Sequence, residues 1–314
     1  MSQLLSAVGV SSVVLDSVVK RYGDHTAVAG LDLEVQRGEI TALLGPNGAG
    51  KSTTLEMCEG FIPADEGHIR IFGLDPVRDR DILRPRIGVM LQGGGGYPGA
   101  RAGEMLTLAA DCVRSPLDPG WLADLLGLSA VLRTPYRRLS TGQQQRLALA
   151  CALVGRPELA ILDEPTSNLD PQARSLVWEL INHLREDGVA VLLSTHALDE
   201  AEALADQVVI MHHGHVVAAG TPSELTRRDA DHTLRFSAPP HLELEEFRRV
   251  LAFDYRVEEP APGGYVITGF IDASVIATVA RTCEGLGAVI TELSVEKRRL
   301  EDLFLDLTGR EVRA

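Results

Sequence analysis

Short apolar runs alternate along the chain with longer stretches whose apolar residues recur three and four positions apart. Ile40-Thr41-Ala42-Leu43-Leu44, Ile87-Gly88-Val89-Met90-Leu91, Ala160-Ile161-Leu162 and Val189-Ala190-Val191-Leu192-Leu193-Ser194 have the continuity of strands buried on both faces. Residues 103–156 are mostly helical in pattern, and residues 172–186 read as one helix lying between two of the runs. Strands that alternate with helices in this way build a parallel sheet. Ahead of the first run, residues 12–36 read as strands, with Val13-Val14-Leu15 and Leu31-Asp32-Leu33-Glu34-Val35 on either side of the turn Tyr22-Gly23-Asp24-His25. Ile69-Arg70-Ile71-Phe72 is a further short strand, ended by Gly73.

After Pro222 the pattern changes. Thr233-Leu234-Arg235-Phe236 alternates like a strand, residues 242–251 suit a helix, and Tyr255-Arg256-Val257 pairs with Tyr265-Val266-Ile267-Thr268 across Pro262-Gly263-Gly264. Residues 273–286 suit a second helix, Ala288-Val289-Ile290-Thr291 a strand, and residues 300–308 a last helix. The order β-α-β-β-α-β is that of a ferredoxin-like domain.

Polar residues stand where the runs end. Open parallel sheets bind ligands at the carboxyl ends of their strands. Gly45 follows Leu44, Gln92 follows Leu91, Asp163 and Glu164 follow Leu162, and His196 follows Thr195. The segment Gly45-Pro46-Asn47-Gly48-Ala49-Gly50-Lys51-Ser52-Thr53 matches the phosphate-loop pattern. Its glycines let successive N–H groups turn inward on an anion. Lys51 adds a point charge, Ser52 a hydroxyl for magnesium, and the helix that follows directs its positive end at the phosphates. A carboxylate at Asp163 reaches magnesium directly or through water, and Glu164 suits a general base for an attacking water; read blandly, the pair is an acidic helix cap. Gln92 either ligates magnesium or caps a loop. His196 either contacts a γ-phosphate or is structural. Tyr22 either stacks on a nucleobase or is one more half-buried tyrosine. Leu139-Ser140-Thr141-Gly142-Gln143 opens another helix, as a second anion-binding end or as an ordinary serine cap.

Composition narrows the setting. The chain has 314 residues, room for two domains, and a formal net charge of -14, which argues against a broad nucleic-acid surface. No apolar run is long enough to span a membrane, and the first residues lack the positive region of a signal peptide, so a cytosolic protein is expected. Cys58, Cys112, Cys151 and Cys283 form no C-x-x-C pair and are expected to be buried thiols.

Taken together, these segments resemble the nucleotide-binding subunit of ABC transporters. Walker A is residues 45–52, the Q-loop is Gln92, and the LSGGQ signature appears as Leu139-Ser140-Thr141-Gly142-Gln143. Walker B is Leu159-Ala160-Ile161-Leu162-Asp163 followed by Glu164, the D-loop is Ser167-Asn168-Leu169-Asp170, and the switch histidine is His196. Tyr22 matches the aromatic that stacks on adenine. The resemblance implies an α/β fold: a P-loop NTPase cassette with a RecA-like core, an antiparallel β subdomain and a helical subdomain at about 93–158. The cassette would occupy residues 12–226 after an N-terminal tail, 1–11, and before a small α+β ferredoxin-like accessory domain, 227–314. It further implies ATP hydrolysis with Mg2+ and head-to-tail pairing with a second copy, so that Ser140, Gly142, Gln143 and Asp170 close over the partner's nucleotide. A separate integral-membrane permease would hold the protein at the cytoplasmic face of the membrane. Thr141 departs from the usual glycine. The finer resemblance, carried by Thr54-Leu55-Glu56-Met57-Cys58-Glu59-Gly60, Gly220-Thr221-Pro222 and residues 300–309, is to exporter subunits of the daunorubicin-resistance type. A soluble ABC ATPase acting on ribosomes or DNA, a nucleotide-gated regulatory subunit and an importer subunit are the rivals.

Overall fold

A computed structural model describes residues 11–93, 95–226, 231–251, 255–296 and 300–308. The chain divides into two compact units, Met1–Pro222 and Ser223–Ala314.

The first unit holds two sheets. Strands β1 (Val13–Tyr22), β2 (His25–Val35) and β4 (Glu66–Ile71) form an antiparallel sheet in the order β2-β1-β4. The second sheet contains β3 (Ile40–Leu44), β5 (Ile87–Met90), β6 (Leu159–Asp163), β7 (Ala190–Thr195), β8 (Gln207–His212) and β9 (His215–Gly220) in the order β5-β6-β7-β3-β8-β9. Its first five strands are parallel, and β9 adds an antiparallel edge. Every residue of β3, β6 and β7 is buried, as strands covered on both faces require. The sequence pattern assigned no element to residues 207–220, where β8 and β9 complete the sheet.

Helices α1 (Lys51–Cys58), α2 (Arg80–Leu83), α3 (Ala102–Asp111), α4 (Pro119–Leu125), α5 (Thr141–Leu153), α6 (Pro171–Glu186) and α7 (Leu198–Leu204) belong to this unit; α8 (Pro222–Thr226) spans the division. The helix α5 packs on β5 and α3. Asp170 caps α6 by accepting from the Ala173 N–H at 2.8 Å, and Pro171 follows at the first helical position. The core joins both sheets through Val13, Leu31, Leu43, Leu55, Ile71, Ile161 and Leu192.

In the second unit β10 (Asp231–Ser237), β11 (Arg256–Ala261), β12 (Gly264–Phe270) and β13 (Glu292–Glu296) form an antiparallel sheet in the order β11-β12-β10-β13. The chain passes through α9 (Leu244–Val250) between β10 and β11, and through α10 (Ala273–Gly285) between β12 and β13; α11 (Leu300–Thr308) comes last. Phe236 stacks on Tyr265 with ring centroids 5.0 Å apart, and Phe247, Ile267 and Val279 fill the core around them.

Two expectations are corrected. The strand expected at residues 288–291 lies at Glu292–Glu296 instead. The Ala288 N–H bonds the Cys283 carbonyl to close the end of α10, so Ala288 and Ile290 pack on the core from a loop while Val289 is exposed. The ladder to β10 begins where the Thr291 N–H meets the Ser237 carbonyl. The cysteines are not uniformly buried: Cys58 and Cys283 are, Cys151 is half-buried, and Cys112, the residue that ends α3, is exposed.

Candidate functional site

The carboxyl ends of β5, β6, β7 and β3 lie side by side, and each delivers polar residues to one edge of the sheet. Residues 45–50 turn between β3 and α1. A Cβ on Gly45 would lie 2.4 Å from the Met211 carbonyl oxygen, and one on Gly50, where φ is +103°, would lie 2.3 Å from that of Ala27. The loop therefore needs glycine at both points, because strands pack directly behind it. Lys51 is buried at the first turn of α1, and its Nζ donates to the carbonyls of Gly45 at 2.6 Å and Pro46 at 3.1 Å. Burial pushes its ammonium below the ordinary lysine pKa, while the carboxylates of Glu164 and Asp163 act in the opposite direction.

A cavity of about 450 Å³ opens over the loop. Asn47, Gly48, Ala49, Gly50, Lys51, Ser52 and Thr53 line its floor, with Tyr22, His25, Gln92 and Glu164 around it. Tyr22 ends β1 and is 48% exposed, so its ring has an open face. A second cavity of about 420 Å³ adjoins Gln92 and Glu164 from the other side and is also lined by Thr141, Gln144, Asn168 and His196.

Asp163 ends β6 and accepts a hydrogen bond from the Ser194 hydroxyl. Glu164 follows with φ +50°, a left-handed conformation unusual for a residue with a side chain. Its N–H donates to both the carbonyl and the hydroxyl of Ser194, at 3.2 and 3.0 Å, and its carbonyl accepts from the Gln145 amide at 2.6 Å. These bonds aim a buried carboxylate at His196, whose Nδ1 lies 3.0 Å from Glu164 Oε1. A carboxylate only accepts, so Nδ1 carries the proton in this contact.

Ser52, Gln92 and Asp163 supply a hydroxyl, an amide oxygen and a carboxylate, the hard donors magnesium takes. The buried lysine, the backbone cradle and the open cavity fit a polyphosphate bound with such an ion.

Ser140, Gly142, Gln143 and Asp170 do not line the cavity over the loop. Ser140 caps α5 reciprocally: its hydroxyl accepts from the Gln143 N–H at 3.2 Å, and Gln143 Oε1 accepts from the Ser140 N–H at 3.0 Å. Gly142 sits against Leu169 and the Asn168 carbonyl. Their neighbours Thr141 and Asn168 line the adjoining cavity instead.

Ser194, Gln145 and Thr166 shape the site and escaped the sequence reading. Ser194 and Gln145 carry one local signal each, a polar residue inside an otherwise apolar strand and one on the buried face of a helix; Thr166, in the turn after β6, carries none.

Comparison with known proteins decides the family. The model of the ABC transporter family matches residues 28–167. Nod factor export ATP-binding protein I of Ralstonia nicotianae is 34% identical over 97% of this chain and 97% of its own length. The daunorubicin/doxorubicin resistance ATP-binding protein DrrA of Streptomyces peucetius is 32% identical over 95% of this chain and 92% of its own. The chain belongs to the ABC transporter family. It is an ATP-binding, ATP-hydrolysing subunit of such a transporter. A solved ATP-binding subunit of an ABC transporter aligns with a TM-score of 0.64 at 31% identity, covering 69% of this chain and 92% of that one. A bacterial ABC transporter cassette solved as a dimer aligns with a TM-score of 0.61 at 26% identity, covering 67% and 98%. No helix among the described residues of this ABC subunit is long and apolar enough to cross a membrane.

Proposed function

We propose that this chain is the motor of an ABC exporter whose membrane-spanning permease is a separate polypeptide. Two copies pair head to tail, each closing the ATP held by the other. Tyr22 stacks on the adenine, the amides of residues 45–53 and Lys51 hold the phosphates, and Ser140, Gly142, Gln143 and Asp170 of one copy face the nucleotide of the other. Ser52, Gln92 and Asp163 hold a magnesium ion, which supplies charge neutralisation at the phosphates. Glu164 orients the attacking water and accepts its proton. His196, steadied by Glu164 through Nδ1, faces the γ-phosphate. Residues 12–226 are the cassette and residues 227–314 an accessory domain. Closure and opening of the pair drive a drug, lipid or other amphipathic compound through the permease, with the motor held at the cytoplasmic membrane face.

The observation that carries this reading is the split site. The phosphate loop, Gln92 and Glu164 share one cavity whose lining does not include Ser140, Gly142 or Gln143, which supports a role for these residues at a second chain's nucleotide. The names of the relatives, export and drug resistance, support the direction of transport. The test is purification from native membranes in mild detergent. Recovery with an integral membrane protein of about six apolar spans of ~20 residues supports the motor. Recovery with ribosomal or chromosomal proteins and no membrane partner overturns it and leaves the ATPase in place.

A further inference from the structure

Glu200 lies on α7, is 1% exposed, and has no part in the function proposed above. Its Oε1 accepts from the Thr166 hydroxyl at 2.7 Å and from the Trp178 indole N–H at 3.2 Å. Glu200 stands four residues after His196, on the helix that follows β7. Thr195 Oγ1 accepts from the Ala197 N–H at 2.9 Å. Thr166 stands two residues after Glu164, and Thr195 and Ala197 flank His196. One carboxylate therefore ties together the two backbone segments that bring Glu164 and His196 to 3.0 Å. Trp178 adds an anchor on α6.

We propose that Glu200 is a positioning residue for ATP hydrolysis, a buried clamp that fixes the contact between Glu164 and His196 from behind. The inference rests on the roles proposed for that pair. Burial raises the pKa of the Glu200 carboxyl, and the hydrogen bonds from Thr166 and Trp178 work against that rise. A carboxylate has two oxygens and about four acceptor sites, so it takes both donors with capacity to spare; the amide of glutamine has one such oxygen. Glu200, Thr166 and Thr195 do not line the cavity over the phosphate loop, so the clamp should govern turnover and leave nucleotide affinity alone.

The experiment compares T166V and T195V, which each remove one hydroxyl with little change of shape, with E200A and E200Q, each also in an E164Q background. Steady-state kcat and KM, direct ATP affinity and melting temperature are measured for all. Expected is a fall in kcat of about ten- to a hundredfold for T166V, T195V and E200A at unchanged ATP affinity, since small misplacements near reacting atoms cost this much. E200Q recovers part of the loss. In the E164Q background the same changes shift residual turnover less than about twofold, because groups acting as a unit are not additive. Wild-type kcat in T166V and T195V alongside an inactive E164Q overturns the clamp and spares the reading of Glu164. Loss of ATP affinity in step with kcat also overturns it, by marking a structural role. Wild-type turnover in E164Q removes the reading on which the clamp stands.

Discussion

His196 Nδ1 lies 3.0 Å from Glu164 Oε1, with the imidazole 57% exposed and the carboxylate 10% exposed. The backbone of Glu164 is fixed from within, and the ring is the outer member, open to the cavity. Glu164→Gln keeps the shape and removes the proton acceptor. ATP binding should persist, while phosphate release slows by about 10²–10⁴-fold, the range of a lost general base. Single-turnover phosphate release, paired with ATP affinity, checks this; turnover at the wild-type rate would refute the role.

Lys51→Ala removes a buried ammonium that reaches into the phosphate loop. A charge-assisted hydrogen bond contributes about 1.5–3 kcal/mol, so ATP affinity should drop by roughly ten- to a hundredfold. Calorimetric titration reads this directly, and an unchanged Kd would count against phosphate contact.

Tyr22→Ala should weaken nucleotide binding by about 1–3 kcal/mol, the contribution of one base stacked on an aromatic ring. Tyr22→Phe should retain affinity. ATP and GTP should suffer alike, because every base has a π-face. A defect confined to ATP would indicate edge recognition in place of stacking.

Glu59 gives the chain a pH dependence. Its carboxyl is pushed up to about 8, first by burial and then by the negative charges of Asp163 and Glu56. Its Oε2 has no hydrogen-bond partner among the described residues. Between the ordinary carboxyl range and that value the folded state binds more protons than the unfolded one. Stability from this group is therefore complete at low pH and is lost as pH rises through about 8. The loss should be roughly 2–4 kcal/mol after allowance for partial solvent access. Urea unfolding at pH 5 and pH 8.5, without nucleotide, should show the decline in the wild type, and Glu59→Gln should flatten it.

The phosphate loop was legible because its chemistry is contiguous: glycines, lysine and hydroxyl within nine residues, between a strand and a helix. The strand ends were legible because fully buried parallel strands leave unbroken apolar runs. The clamp at Glu200 was not. Thr166 and Trp178 reach it from the turn after β6 and from α6, and no local pattern marks a buried acceptor shared over such separations. Residues 288–291 misled because a loop that plugs a core shows the same apolar run as a strand. The turn closing α10 decides between them, and it depends on a backbone bond from Ala288 to Cys283. The cap at Ser140 was readable as a helix start, but its place outside the cavity over the loop follows from the fold alone.

The packing of Met211 and Ala27 against Gly45 and Gly50 means that the anion cradle takes its shape from the strands behind it. A side chain introduced at either glycine would push on a strand and not only on the ligand, so damage at these points should spread into the sheet.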